Sequence, residues 1–242
     1  MPQVRDATIE VDSDDGPLRV YEAVPAERPT RAVVVIQEAF GVNDHIADVT
    51  RRFAAAGYHA VAPHLFQRAG VNALPYEMDL AMAQLAKLTA PGLRTDIAAT
   101  IGYLTSQGFP LPSIGIVGFC MGGSVVVAAA VEHAFGAAVT FYGGGIVDGR
   151  FGFPPLAELA PQLRAPWLGL YGDLDRGIPP EQVELLRSAA ANAPVPTSVV
   201  RYPGAGHAFH CDARPANYHE ASATDGWART LDWLDRYLRP RD

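Results

Sequence analysis

A cysteine at position 120 stands in a context that could make its thiol a nucleophile. It is the third residue of Gly-Phe-Cys-Met-Gly-Gly (118–123), which follows a β-branched run and precedes a helical pattern. A nucleophile elbow has this strand, turn and helix context, and glycines two residues to either side leave room for the tight crossing. A helix start also lowers the pKa of a thiol and stabilises an oxyanion. Taken alone, the pattern is a weak signal, and a buried, inert cysteine is the alternative interpretation.

Later loops supply an acid and a base in the order that such a nucleophile requires. Asp173 and Asp175 lie in a polar loop after the apolar run 167–171, and His207 follows the run 198–202. Open α/β sheets place their sites at the carboxyl ends of strands. Folds with a nucleophile elbow of this kind carry the triad in the order nucleophile, acid and histidine along the chain. The residues therefore predict a Cys120, Asp and His207 triad, with both aspartates open as the acid.

The elements that must position these residues alternate between short apolar runs and helical patterns, which predicts an α/β fold. The expected strands are 32–36, 59–62, 114–117, 137–141, 167–171 and 198–202. The expected helices are 45–56, 75–88, 93–106, 124–133 and 181–191. Near-continuous apolar strands are typical of a mostly parallel sheet with helices on both faces. The pattern therefore favours a covered, parallel central sheet.

The two ends and one loop complete this organisation. The runs 8–11 and 18–24 flank an Asp-Asp-Gly-Pro turn and predict a hairpin at one sheet edge. Trp227, Leu231, Leu234 and Leu238 recur at helical spacing and predict a closing helix. The segment 143–161 is rich in glycine and proline and is expected to be a long loop that could act as a lid.

Composition restricts the classes of function. The 242 residues are 49% hydrophobic, which predicts one domain over 1–242. A formal net charge of -7 disfavours nucleic acid as a partner. We find no signal peptide and no apolar run near the roughly 20 residues of a membrane span, so we expect a soluble protein with no membrane partner. Two cysteines do not make a disulfide framework, which favours a reduced, cytoplasmic location. No pattern indicates an oligomeric state.

Together these motifs resemble the dienelactone hydrolase family of the α/β-hydrolase superfamily. The resemblance covers nearly the whole chain and rests on 37–43, the elbow around Cys120, 141–143, the acid loop ending at Pro179, and 206–209. It implies an α/β-hydrolase fold and hydrolysis of a small ester or lactone through a cysteine triad and a thioester intermediate. It implies no cofactor and no metal.

The resemblance also implies roles for single residues. By spacing from Gly172 and Pro179 in the matching loop, the acid resembles Asp175, and Asp173 becomes structural. Glu38 would lie beside the nucleophile and accept the hydrogen bond of its thiol until substrate displaces it.

The oxyanion hole implied by the same resemblance consists of two backbone N–H groups. One belongs to Met121, directly after the nucleophile, and the other to Ala39. The two amides would bind the oxygen that becomes negative when the ester carbonyl is attacked.

The chain departs from the family where substrate carboxylate is bound. An arginine is expected four residues after the catalytic histidine, but Cys211 stands there, and Lys87 is the only basic residue in 75–88. A buried carboxylate without a cationic partner is costly, so we expect neutral esters or lactones to be preferred over a carboxylated dienelactone. The alternative is that Arg214 folds inward and supplies the charge.

Two other classes of function remain open at this stage. His207, His210, Cys211 and His219 are residue types that bind zinc, although their spacing matches no compact site. A catalytically silent hydrolase fold could instead serve as a binding module or sensor. Ester hydrolysis that depends on Cys120 would separate an enzyme from both alternatives.

Overall fold

The computed structural model describes residues 3–241, whose eight strands form one sheet. The strands are β1 (Val4–Val11), β2 (Leu18–Pro25), β3 (Ala32–Ile36), β4 (His59–Pro63), β5 (Ile114–Phe119), β6 (Ala137–Phe141), β7 (Trp167–Gly172) and β8 (Thr197–Tyr202). The α-helices are α1 (Asp44–Ala55), α2 (Met78–Leu85), α3 (Ala90–Ser106), α4 (Met121–Glu132), α5 (Leu156–Leu159), α6 (Pro180–Ala190) and α7 (Glu220–Tyr237). The strand order is β1-β2-β4-β3-β5-β6-β7-β8.

The sheet is mostly parallel, as the apolar runs predict. Strands β3 to β8 pair in parallel, whereas β1 and β2 form the predicted antiparallel hairpin at one edge. Every residue of β3, β5, β6 and β7 is buried. Strands buried along their whole length need cover on both faces.

Two glycines of β5 show that helices supply this cover. Alternate strand residues face opposite sides of a sheet, so Gly115 and Gly118 lie on different faces. A Cβ at Gly115 would lie 2.7 Å from Leu234 of α7, and one at Gly118 would lie 2.8 Å from Val126 of α4. Helices α4 and α7 therefore pack on opposite faces, and the predicted α/β-hydrolase architecture is confirmed.

Two local expectations need correction. Helix α4 begins at Met121, directly after the nucleophile candidate, and not near 124. Gly122 and Gly123 have low helix propensity, but the close crossing of strand and helix requires them. The segment 143–161 is not wholly irregular, because α5 and a short 3-10 turn occupy its end.

Helix length and polarity also bear on membrane insertion. Within residues 3–241, no helix combines the length and apolar character required to cross a bilayer.

Candidate active site

Cys120 lies in a sharp turn between β5 and α4. Its φ of 55° and ψ of -116° are sparsely populated for a residue with a side chain. A Cβ at Gly118 would come within 2.3 Å of the Gly122 carbonyl oxygen, and one at Gly122 within 2.5 Å of the Ile36 carbonyl oxygen. Only glycine fits at both positions. The flanking glycines of the motif therefore permit the turn that presents the partly exposed Cys120 thiol.

His207 and Asp175 form a hydrogen-bonded pair beside this turn. Nδ1 of His207 lies 2.6 Å from Oδ2 of Asp175. The other carboxylate oxygen of Asp175 accepts a hydrogen bond of 2.9 Å from the Gly177 backbone N–H. Asp175 is buried, whereas the imidazole is partly open to the cleft. An acid held in this way fixes both the tautomer and the orientation of the ring.

The groups around His207 raise its pKa to about 10. Burial lowers this pKa, but the charge of the Cys120 thiolate and the hydrogen bond to Asp175 raise it by more. The imidazolium is therefore stabilised between a sulfur on one side and a carboxylate on the other.

The second aspartate of the same loop has a different partner. Oδ1 of Asp173 accepts a 2.6 Å hydrogen bond from Nε of Arg201, whose Nη1 also donates to Glu184. Asp173 therefore ties the end of β7 to β8. Of the two candidates, Asp175 is the one that contacts His207.

Glu38 is buried, and its hydrogen bonds differ from the expectation. Oε1 accepts a hydrogen bond of 3.1 Å from the Tyr142 hydroxyl, and Oε2 accepts one of 2.8 Å from Nη2 of Arg214. The expected hydrogen bond from the Cys120 thiol is not formed in the structure of residues 3–241. A thiol is a weak donor, so a phenol and a guanidinium are the stronger partners for this carboxylate.

Arg214 is folded inward, as the alternative interpretation required. Its guanidinium stacks on the rings of Phe40 and Tyr76, each 5.2 Å from its centre, and Nε lies 3.4 Å from Sγ of Cys211. Arg214, which stands three residues after Cys211 in the sequence, thus places its guanidinium in the protein interior. Its charge is already paired with Glu38, because the two groups form an ion pair whose side chains are 16% and 2% exposed.

The oxyanion hole was predicted from the backbone N–H groups of Met121 and Ala39. Met121 is the first residue of α4, so its N–H has no partner within the helix. Ala39 is buried in the turn after β3, which Gly41 closes by donating to the Glu38 carbonyl. Neither N–H donates to a backbone carbonyl in the described chain.

A cleft of about 710 Å³ opens onto Cys120 and His207. Its walls include two arginines that the sequence reasoning overlooked, Arg150 after β6 and Arg176 after β7. The family's arginine positions lack arginine in this chain, as the sequence analysis noted, but these two arginines place cations in the cleft from other positions. Arg176 lies in the loop directly after β7, and that position could have identified it, whereas Arg150 lies farther along the segment that follows β6.

The sequence reasoning assigned no role to Tyr142, which contacts two of the candidate site residues. It directly follows β6, and its φ of 41° is unusual for a residue with a side chain. Its ring centre lies 5.1 Å from that of His207, while its hydroxyl binds Glu38. The strand-end motif 141–143 contained this signal.

The four residues considered as a metal site have separate environments. His207 pairs with Asp175, and His219 caps α7 by accepting a hydrogen bond from the Ser222 amide. Burial and the nearby His45 lower the pKa of His210 to about 3. Residues 3–241 contain no group of three or more potential ligands arranged to hold a metal ion.

Comparison with known proteins identifies relatives over most of the chain. Residues 18–238 match the dienelactone hydrolase family. A protein of Methylorubrum extorquens, provisionally named carboxymethylenebutenolidase, is 37% identical over 234 residues, which cover 95% of this chain and 80% of the relative. An Escherichia coli K12 protein with the same provisional name is 39% identical over 222 residues, covering 90% and 82%.

A solved structure shows the same similarity in three dimensions. The crystal structure of a provisionally named dienelactone hydrolase from Klebsiella pneumoniae superposes with a TM-score of 0.88 at 33% identity. The superposition covers 97% of this chain and all of the other. The similarity in three dimensions thus extends over almost the whole chain.

Proposed function

Because the chain belongs to the dienelactone hydrolase family, we propose that it hydrolyses a small ester or lactone with Cys120 as nucleophile. One observation carries the proposal: His207 is hydrogen-bonded to the buried Asp175 and has its pKa raised by the neighbouring Cys120. A base that is oriented by a carboxylate and shares its proton with a thiol is the arrangement needed for nucleophilic catalysis.

In the first half of the reaction the thiolate of Cys120 attacks the ester carbonyl carbon. The carbonyl oxygen gains the negative charge, and the N–H groups of Met121 and Ala39 stabilise it. When the tetrahedral intermediate collapses, the bond to the alcohol oxygen breaks and the His207 imidazolium donates a proton to that oxygen. The products of this half are a thioester on Cys120 and an alcohol, which stays attached to the acyl group if the substrate is a lactone.

The second half regenerates the enzyme. Neutral His207, still held by Asp175, removes a proton from water as the water attacks the thioester carbonyl. The second tetrahedral intermediate uses the same two amides and expels the Cys120 thiolate as the leaving group. The carboxylic acid is released, and the proton stays on His207, so that the ion pair is restored.

An ester or lactone fits this chemistry better than a peptide. A thiolate leaves a tetrahedral intermediate more readily than an amine anion does, so attack on an amide mostly reverses unless the nitrogen is protonated first. An alkoxide or enolate competes better with the thiolate. The relatives named carboxymethylenebutenolidase carry the name of an enzyme that opens a lactone, and we extend that substrate class to this chain.

We further propose that Glu38 positions the catalytic base His207 through Tyr142. The carboxylate holds the Tyr142 hydroxyl, and the ring of Tyr142 packs against His207. Glu38 is thereby a positioning residue whose loss would let the imidazole move. Glu38→Gln and Tyr142→Phe both weaken the same hydrogen bond, so both should lower kcat and shift the pH profile of kcat in the same direction. If only Glu38→Gln has this effect, Glu38 acts on the thiol directly.

The central experiment measures hydrolysis of 4-nitrophenyl esters and small lactones by the wild type, Cys120→Ser and Cys120→Ala. Both variants should lose about 10³-fold or more in kcat. Mass spectrometry of the wild type, quenched in acid during turnover, should find the acyl group on the peptide that contains Cys120. Full activity in Cys120→Ala would reject the mechanism. A wild type with no activity on any ester or lactone would favour the binding module or sensor.

Thiol chemistry also bears on location. Cys120 and Cys211 are both free, and an exposed nucleophilic thiol is lost to oxidation unless it is kept reduced. We therefore propose that the protein works in the cytoplasm.

A further inference from the structure

Large apolar side chains are exposed next to the candidate site. The exposed large hydrophobic residues of the described chain are Tyr76, Met78, Leu80, Met82, Val147, Leu174 and Leu185. The first four lie on α2 or directly before it. Soluble proteins seldom cluster exposed apolar residues without a function, and such a patch often marks a ligand-binding groove.

Three of these residues line the cleft that contains Cys120 and His207. They are Met78, Met82 and Leu174, which are 56%, 53% and 63% exposed. Met78 and Met82 are four residues apart on α2, so they lie one above the other on the same helix face. This face and the loop after β7 form an apolar wall that stays in contact with water while the cleft is empty.

We propose that this wall binds an unbranched apolar chain of the ester substrate. The inference rests on the proposed hydrolase function and adds the substrate class: a neutral ester or lactone bearing an alkyl group of several carbons. Continuity with the nucleophile favours substrate as the occupant, because a chain in this cleft is attached to a carbonyl that Cys120 can reach. Methionine is flexible and polarisable, which suits it to chains of varying length.

The charged groups that line the cleft favour an anionic substrate less than the apolar wall favours an alkyl chain. The guanidinium of Arg150 stacks on the ring of Phe151 at 5.3 Å and packs against Gly144. Arg176 is exposed and stays hydrated without substrate. Asp148 lines the same cleft and offsets part of their positive charge. Apolar contact, and not charge, is therefore the stronger source of selectivity here.

Chain length is the first variable to test. A buried methylene contributes up to about a fourfold gain in kcat/KM, and roughly twofold when half of its surface stays wet. From 4-nitrophenyl acetate to the hexanoate, kcat/KM should therefore rise by roughly 20- to 250-fold. A second series, alkyl acetates from ethyl to hexyl, varies the alcohol part of the ester, and its hydrolysis is measured by the release of acetic acid. This series tests whether the wall binds the alcohol chain and not the acyl chain. No rise in either series would overturn the proposal.

Substitutions on α2 test whether these side chains cause the preference. Met78→Gln with Met82→Gln keeps side-chain length and helix propensity but removes apolar character. The double variant should lower the hexanoate-to-acetate ratio of kcat/KM by about tenfold. Leu80→Gln is the matched control, because Leu80 is 44% exposed on the same helix but does not line the cleft. Equal ratios in the double variant and the control would refute the assignment.

A second readout does not depend on turnover. N-ethylmaleimide and N-heptylmaleimide alkylate Cys120, and their rates are each divided by the rate with glutathione. The heptyl reagent should react at least about tenfold faster with the wild type, and the double Met78 and Met82 variant should lose this advantage. A chain effect in alkylation without any ester hydrolysis would reject the hydrolase function and keep the apolar site. Ester hydrolysis without a chain effect in either assay would keep the hydrolase function and reject the apolar site.

An anionic ester supplies the last comparison. 4-nitrophenyl hydrogen adipate has the same acyl length as the hexanoate but ends in a carboxylate. We expect the hexanoate to have the higher kcat/KM. A clear preference for the adipate would show that Arg150 or Arg176 selects anions and would overturn the apolar assignment.

Discussion

Replacing Asp175 by asparagine should remove most of the activity while leaving the fold intact. The structure indicates which way the new amide would face. The Gly177 N–H donates to one carboxylate oxygen of Asp175, so the oxygen of the substituted side chain would keep that hydrogen bond and its NH₂ group would face His207. His207 would then carry its proton on Nε2, toward the sulfur, and could not accept another from Cys120.

The size of this effect follows from the same tautomer argument. In a serine protease the equivalent change lowers kcat about 10⁴-fold, which corresponds to about 5.4 kcal/mol. A cysteine thiol is in general more acidic than a serine hydroxyl and depends less on a base, so we expect a loss of about 10³-fold. The assay is kcat for 4-nitrophenyl acetate at pH 7, on protein whose thermal unfolding matches the wild type.

Asp173→Asn is the matched control in the same loop. It weakens the hydrogen bond to Arg201 and leaves the Asp175 contact with His207 in place, so it should lower the melting temperature slightly and change kcat by less than about threefold. An Asp175→Asn variant within about tenfold of the wild type would refute the reasoning, as would an equal loss of kcat in both variants.

Three further outcomes are expected. One equivalent of iodoacetamide should label Cys120 before Cys211, which is fully buried, and should abolish turnover; peptide mapping that finds Cys211 labelled first, with activity retained, would contradict this. Because the folded-state pKa of His207 is raised to about 10, its contribution to stability should be complete below its unfolded pKa of about 6.5 and be lost as pH rises through about 10. Urea unfolding at pH 6, 8 and 10 should show this loss in the wild type and less of it in His207→Gln; an equal loss in both would show that another group is responsible. Glu38→Gln should lower the free energy of unfolding by about 3 kcal/mol, because it leaves the guanidinium of Arg214 without a counter-ion, and adding Arg214→Met should restore part of it. A single variant as stable as the wild type would show that the ion pair contributes nothing.

The parts of the fold and site that follow local rules could be predicted from the sequence. The turn at Cys120 was predictable because only glycine fits at positions 118 and 122. The strands were predictable because burial on both faces makes them continuously apolar. The start of α4 was not, because the two glycines at 122 and 123 signal a break in helix propensity although the backbone there is helical.

The partners of charged groups were less predictable. Residue types alone left Asp173 and Asp175 equivalent, and family spacing favoured the residue that the structure pairs with His207. Nothing in the local sequence indicates that Glu38 binds Arg214, since 176 residues separate them. Such a pair depends on the paths of two loops over the sheet, and no periodicity encodes those paths.

Arg150 shows the same limit for the cleft. It lies on an irregular segment, where backbone hydrogen bonds to Phe153 and contact with Gly144 set its position. A comparison restricted to the family's own arginine positions therefore missed it.

The chemistry and the apolar wall of the cleft come largely from different segments of the chain. Cys120, Asp175 and His207 follow β5, β7 and β8, whereas two of the three wall residues lie on α2, between β4 and α3. Helix α2 is not part of the sheet and carries none of the proposed triad residues. Exchange of this helix alone between relatives should therefore transplant substrate preference between them, while the rate-determining chemistry stays with the recipient scaffold.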